Sequence, residues 1–395
     1  MYNFKTFTNR RKLGSAKYKR MEELNPNLAE EIIPLSVADM EFNTAPEITD
    51  GLREYLEDSL LGYPVLTDEY KEIVKNWFSR KYHWNIEGDW IVETPGVVPA
   101  LYAAVEAFTE VDDGVIIFTP VYGPFYTAIS DNDRRIIKSP LIYDGRYKID
   151  FEDLERKAKD PKNKLLLFCN PHNPVGRVWT KGELERVGKI CLENDVVILS
   201  DEIHADIIMP GFEFQSFGNV SEELSDNVIV SSAPSKTFNI AGLYTSNNIA
   251  KNPELRESFS TALERKHLKG ANILGLKACE LAYTKCDDWL SELIEVLDEN
   301  RIFVIDYFKN EIPEVIAHDI EGTFLIWLDF RRLGMSDTEL DEFLENEAEL
   351  ILTDGKFFGT EGKGFKRINI GCPKSTLETS LNRLKTALEA RRQHD

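Results

Sequence analysis

Cysteine is scarce in this chain. Five cysteines (Cys169, Cys191, Cys279, Cys286 and Cys372) are spread over 395 residues with no CxxC pair. An odd, dispersed set argues against a disulfide framework and a thiolate zinc site, so a reducing, cytoplasmic setting is expected. Positive charge is also short. Lys and Arg number 47 against 68 Asp and Glu, a formal net charge of −21. Such a chain repels nucleic acid and anionic membranes, and no long basic run offsets this. Long apolar runs are missing: nothing approaches the roughly 18 residues of a transmembrane helix. The opening MYNFKTFTNRRKLG lacks the apolar core of a signal peptide. Neither nucleic acid nor membrane is therefore expected as a partner. Internal repeats and low-complexity segments are absent as well. What remains is 42% hydrophobic and 29% charged, too apolar for a disordered chain. At about 150 residues per domain, the length predicts two or three domains, or one large domain with a satellite.

Four short apolar runs recur with helical segments between them: 115–118, 165–168, 196–199 and 228–230. None alternates with polar residues, which predicts strands buried on both faces of a mostly parallel sheet. The segment 180–194 reads as a helix. Thr180 and Glu183 make a capping box, and Leu184, Val187 and Cys191 follow at helical spacing. Strand and helix in alternation mean an α/β sheet, whose ligands sit at the carboxyl ends of the strands. Past residue 285 the pattern changes. A long helical stretch from Asp288 to Asn310 leads into a second unit. That unit has a strand at 324–330, a helix near 336–347, short strands at 350–353 and 366–370, and a final helix. Ser375 and Glu378 are expected to cap the final helix, with Leu377, Leu381, Leu384 and Leu388 as its buried stripe. The N-terminal 45 residues read as irregular.

The strand ends carry the chemistry. Ser200-Asp201-Glu202-Ile203-His204-Ala205-Asp206 follows one run, Ser231-Ser232-Ala233-Pro234-Ser235-Lys236-Thr237 another, and Cys169-Asn170-Pro171-His172-Asn173-Pro174 a third. An acid, a lysine and an amide thus reach one sheet edge. A lysine in a tight Ser/Pro/Thr loop has a fixed direction, and desolvation would make its amine nucleophilic near neutral pH. Asp201 ends an apolar strand, where a lone carboxylate is costly, so a cationic partner is expected; a protonated pyridine nitrogen is one candidate. Asp201, Glu202, His204 and Asp206 also admit the plainer reading of a solvated loop with one buried carboxylate. A metal is disfavoured, since the spacing is not a helical HExxH and no second ligand cluster accompanies it. Gly96, in Thr94-Pro95-Gly96-Val97-Val98, precedes an apolar helix read as 101–108. A glycine there lets backbone pass close to a ligand, and free amides at a helix start bind anions.

The ordered set of Asn170-Pro171-His172-Asn173-Pro174-Val175-Gly176, Ser200 to Asp206, Ser232 to Leu243 and Arg367-Ile368-Asn369-Ile370-Gly371-Cys372-Pro373 resembles fold-type I pyridoxal-phosphate enzymes. It most resembles the MalY/PatB branch of cystathionine β-lyases, or cysteine C–S lyases. Val37-Ala38-Asp39-Met40, Gly62-Tyr63-Pro64 and Val121-Tyr122-Gly123-Pro124 extend the resemblance over nearly the whole chain. It implies an α/β fold like that of aspartate aminotransferase: a large domain with a mostly parallel seven-stranded sheet, and a smaller α+β domain. The implied boundaries are 1–47 for an arm belonging to the small domain, 48–286 for the cofactor-binding domain and 287–395 for the rest of the small domain.

The resemblance also implies roles. Lys236 would join the cofactor aldehyde and act on the substrate. Asp201 would pair with the pyridine nitrogen, Asn173 with the ring oxygen, and Tyr122 would stack on the ring. The amides of Gly96, Val97 and Val98 would hold the phosphate, helped by Ser232 or Ser235, and His204 would line the cofactor pocket. Arg367 would clamp the carboxylate of an amino-acid substrate, with Asn173 and Ala38 beside it. Tyr63 would come from the second subunit of a homodimer with shared active sites, serving phosphate and catalysis, as Tyr122 also would. No metal is expected.

Departures separate this chain from many aminotransferases of the fold. Tyr244 stands where they carry a phosphate-binding arginine eight residues after the lysine. His172, Val175 and His204 also differ, and the latter two match the lyase branch. The 11–18 stretch fits that branch's usual N-terminal pattern only loosely. The expected activity is β-cleavage of L-cystathionine, cysteine S-conjugates or cysteine to a thiol, pyruvate and ammonia. An aminotransferase is one alternative. A regulator that binds a transcription activator is another.

Overall fold

The computed structural model describes residues 1–393. Seven strands form the central sheet: β1 (Ile91–Thr94), β2 (Gly114–Thr119), β3 (Arg135–Pro140), β6 (Asn163–Cys169), β7 (Val197–Asp201), β8 (Val228–Ser232) and β9 (Ser246–Ala250). A two-stranded ribbon, β4 (Ile142–Tyr143) and β5 (Tyr147–Lys148), lies beside it in sequence. The order is β1-β9-β8-β7-β6-β2-β3, parallel except for β9, which runs against both neighbours. The lack of alternation in the four runs has a simple cause: both faces are covered. Ile116, Phe118, Leu166 and Phe168 enter one apolar cluster, while Val115, Ile117, Leu165 and Leu167 enter the other. Helices Val97–Phe108 and Pro253–Arg265 pack against the second of these faces. The capping box of Thr180 and Glu183 forms as read, and its helix spans Lys181–Leu192.

A second, antiparallel sheet has the order β10-β11-β13-β12, built from β10 (Ile316–His318), β11 (Leu325–Asp329), β12 (Thr353–Asp354) and β13 (Phe365–Asn369). The 25-residue helix Asp287–Glu311 leads into it. The final helix, Lys374–Arg392, buries Leu377, Leu381, Leu384 and Leu388. At roughly 1.5–3 kcal/mol per buried leucine, that stripe is the helix's main hold on the fold.

The two sheets are pinned together. Arg177, just past β6, meets Glu321 of the β10–β11 loop at 3.0 Å, and both side chains are buried. The Glu321 carboxylate also accepts the amide of Val178 at 2.9 Å and meets Arg146 at 2.5 Å.

Four expectations need correction. The N-terminal segment is not wholly irregular, since Ala16–Leu24 is a helix that buries Lys17, Tyr18 and Met21. Apolar side chains there occur too sparsely to reveal a period. The Ser375–Glu378 cap does not form: the helix starts at Lys374 behind Pro373, so Ser375 already lies inside the first turn. The strand expected at 350–353 is only Thr353–Asp354, because pairing with β13 involves those two residues alone. The helix read as 101–108 begins at Val97, directly behind Gly96.

Candidate active site

Strands β6, β7 and β8 are parallel, so their carboxyl ends deliver the loops after Cys169, Asp201 and Ser232 to one edge. The turn after β1 reaches the same edge, because β1 and β8 each run antiparallel to β9. There the chain encloses a cavity of about 230 Å³, lined by Tyr122, Asn173, Asp201, His204, Ser235 and Lys236, with Ala38 and the 95–99 turn completing the wall. Gly96 has φ +109°, a conformation that suits glycine. It aims the first amides of helix Val97–Phe108 at the cavity, and Pro99 in that first turn has no amide of its own.

Two buried charges lack partners. Asp201 is 5% exposed, and among the described residues no lysine, arginine or histidine nitrogen lies within 4 Å of its carboxylate. Among the described residues the carboxylate accepts one hydrogen bond, from the Ile203 amide at 3.1 Å. Burial pushes its pKa up to about 7. The cation expected for it is not supplied by the described residues. Arg367, on β13 of the second sheet, is 2% exposed and forms no ion pair among the described residues. Its Nη1 donates to Asn173 Oδ1 at 3.0 Å and its Nη2 to Thr353 Oγ1 at 3.3 Å, while Nε has no partner. Burial lowers its pKa to about 10. An unpaired anion and an unpaired cation, both desolvated, make a folded chain costly unless a ligand completes them.

Lys236 shares the cavity wall with Asp201 and feels the charge of both. Its Nζ donates to the Ala38 carbonyl at 2.8 Å. Burial, and then the charge of Arg367, lower its pKa to about 8, against the opposing pull of Asp39 and Asp201. An amine in this range is a usable nucleophile and base at neutral pH. Tyr122 meets Phe357 edge-on with ring centroids 5.7 Å apart. His204 sits edge-on to Phe324, its Nδ1 without a partner, and burial holds its pKa well below the ordinary imidazole value.

These features fit pyridoxal phosphate by their chemistry. A lone carboxylate suits a protonated ring nitrogen, a depressed lysine suits an aldehyde, and open helix amides suit a phosphate.

Three expected residues do not line the cavity, and one of them, Arg367, is joined to it through Asn173. Ser232 is buried within β8, where it pairs with Asn247, while Ser235 lines the cavity. The cause is strand register: Ser232 still belongs to the ladder and Ser235 to the loop beyond it. Tyr63 is fully exposed, away from the cavity of its own chain. Sequence reasoning had not placed Cys169, Ile203, Ala241 or Thr245 in the wall, nor Thr353 on Arg367. Extending each strand to its last residue would have found Cys169. Thr353 carries no such signal, because it reaches Arg367 across strands.

The model of the family described as aminotransferase class I and II matches residues 30–384. Cystathionine beta-lyase PatB of Bacillus subtilis is 41% identical over 357 residues, covering 90% of this chain and 92% of that protein. The chain belongs to this family, in its MalY/PatB branch. Protein MalY of Escherichia coli is 33% identical over 364 residues, with 91% and 92% covered. In three dimensions the chain is similar to cystalysin from Treponema denticola, whose crystal structure contains pyridoxal 5′-phosphate. The TM-score is 0.97 at 48% identity, with 99% of each chain covered. Aminotransferase class I and II enzymes of the MalY/PatB branch therefore supply the frame for this cavity.

Proposed function

We propose that this chain is a pyridoxal-phosphate-dependent carbon–sulfur β-lyase. It cleaves L-cystathionine, cysteine S-conjugates or cysteine to a thiol, pyruvate and ammonia. The observation that carries the reading is unpaired Asp201 and depressed Lys236, both buried in the wall of one cavity, with unpaired Arg367 joined to that wall through Asn173. The lyase reading is preferred to an aminotransferase because relatives at 41% and 30% identity bear the lyase name.

Asp201 would hold the cofactor's ring nitrogen, Asn173 its ring oxygen, Tyr122 its face, and Lys236 its aldehyde. Gly96, Val97, Val98 and Ser235 would hold its phosphate. When bound, the cofactor withdraws electrons from the α-carbon of the amino acid attached to it. Arg367 fixes the substrate carboxylate with its open Nε edge, oriented by Asn173 and Thr353. Lys236, once free, takes the α-proton as general base. The Cβ–S bond then breaks and its electron pair leaves with sulfur. Lys236 returns the proton to the departing thiolate, and the released enamine hydrolyses to pyruvate and ammonia. His204, neutral through burial, backs the ring without adding charge.

The enzyme acts as a cytoplasmic homodimer. Tyr63, fully exposed amid exposed Leu60, Leu61 and Val65, reaches the partner's cavity and its phosphate site. The 48–286 region is the cofactor-binding domain, and 1–47 packs with 287–395. Purified protein with L-cystathionine and no 2-oxo acid is expected to release pyruvate. Lys236→Ala is expected to lose the visible cofactor band and that activity. Absence of pyruvate from every cysteine S-conjugate tested sinks the proposal.

A further inference from the structure

Residues 37–42 form a strap over the lysine, and its backbone groups are held by side chains from three separate parts of the fold. The Ala38 carbonyl accepts Lys236 Nζ at 2.8 Å. The carbonyls on either side, of Val37 and Asp39, both accept from Asn369 Nδ2 at 2.7 Å. Asn369 lies on β13, two residues from Arg367. From the other direction, Asn239, three residues after Lys236, accepts the Met40 amide at 2.9 Å. It donates to the carbonyls of Met40 at 3.0 Å and Phe42 at 2.9 Å. Lys17, buried in the N-terminal helix, adds a bond to the Asp39 carbonyl at 2.7 Å and an ion pair to buried Glu41 at 2.9 Å.

The geometry is held against local preference. Val37 has φ +48° and Asn239 φ +56°. A β-branched residue in the left-handed region persists only where its surroundings over-determine it. Two asparagine side chains that saturate the strap from both ends are such surroundings. The Ala38 carbonyl is therefore a fixed acceptor, and its place is tied both to the lysine loop and to the strand of the carboxylate clamp.

We propose that Asn369 and Asn239 are positioning residues. They hold the strap so that the Ala38 carbonyl receives the free Lys236 amine at a set distance from Arg367, which aims that amine at the α-proton of a substrate whose carboxylate Arg367 grips. Neither asparagine touches substrate; both act through the strap. The inference rests on Lys236 being the base of the proposed reaction.

The test uses loaded enzyme and the variants Asn369→Ala and Asn239→Gly. Glycine at 239 keeps the left-handed backbone while removing the clamp. In either variant that retains the wild-type cofactor band and thermal midpoint, kcat is expected to fall by roughly 100-fold, the order for a displaced catalytic group. KM should stay within about twofold, since Arg367 keeps its own partners. The isotope effect with α-deuterated substrate should rise, because proton removal becomes slower relative to the other steps. A purely structural role would instead lower cofactor content and thermal midpoint and leave the isotope effect unchanged. That result, or wild-type kcat in a folded, loaded variant, overturns the inference.

A second measurement needs no variant. A crystal structure of the wild-type holoenzyme with bound L-alanine should show the released amine within hydrogen-bond reach of the Ala38 carbonyl. An amine turned away from that carbonyl also overturns it. Failure of the wild type to take up cofactor or release pyruvate would instead refute the proposed function.

Discussion

Asp201→Asn isolates the cost of a carboxylate awaiting its cation. In the cofactor-free chain this carboxyl has its pKa raised from 3.8 to about 7 by burial. The folded state then binds more protons than the unfolded state between those two values, so its stability falls as pH rises through that window. Below about pH 4 the carboxyl is neutral in both states and nothing is lost; above about pH 7 the full penalty applies. A rise of that size corresponds to roughly 4 kcal/mol, taken as an order of magnitude. Asparagine keeps an acceptor for the Ile203 amide and carries no charge. The cofactor-free variant is therefore expected to be more thermostable than the cofactor-free wild type at pH 8. The gap should narrow steadily as pH falls toward 5. With cofactor bound the order reverses, because the wild-type carboxylate gains its ring-nitrogen partner and the amide does not. The assay is the thermal midpoint of both proteins, with and without cofactor, at pH steps from 5 to 8. Parallel midpoints across pH in the cofactor-free pair would refute the claim that Asp201 is a desolvated, unpartnered acid.

Other outcomes follow from the same structure. Arg367→Lys keeps a positive charge but loses the fork that Asn173 and Thr353 orient, so kcat/KM for cystathionine should fall about 10- to 100-fold, read by pyruvate release. Glu321→Gln removes the anion between Arg146 and buried Arg177 and should cost about 1–3 kcal/mol in urea unfolding, because the buried guanidinium loses one of its two carboxylate partners and keeps Glu183. Because Glu321 has its pKa lowered by Arg146 and Arg177, that stabilisation should be present above the ordinary carboxylate range and lost as pH falls through the folded value. Gly176→Ala should destabilise strongly by the same assay: φ there is +69°, and a Cβ would come within 2.3 Å of the Ile320 side chain.

The four apolar runs showed their identity without coordinates because strands buried on both faces carry no polar alternation, and their ends placed Asp201, Lys236 and Asn173 at one edge. Local chemistry also revealed the Thr180 cap and the leucine stripe of the last helix. These signals live within one turn or one strand, where sequence spacing is distance. Contacts between distant segments leave no such trace. The sequence pointed to a cation for Asp201, and only packing revealed that the described residues offer none. Nothing local to Arg367 showed that it is buried, unpaired and held against Asn173 by the second sheet. The strap at 37–42 owes its form to distant partners, Asn239 and Asn369, and the helix at Ala16–Leu24 packs Tyr18 and Met21 against Ile351. Composition and spacing determined the α/β sheet and which residue types reach its edge. Tertiary structure decided which charges are stripped of water and left unpaired, because desolvation depends on everything that surrounds a group and not on its neighbours along the chain.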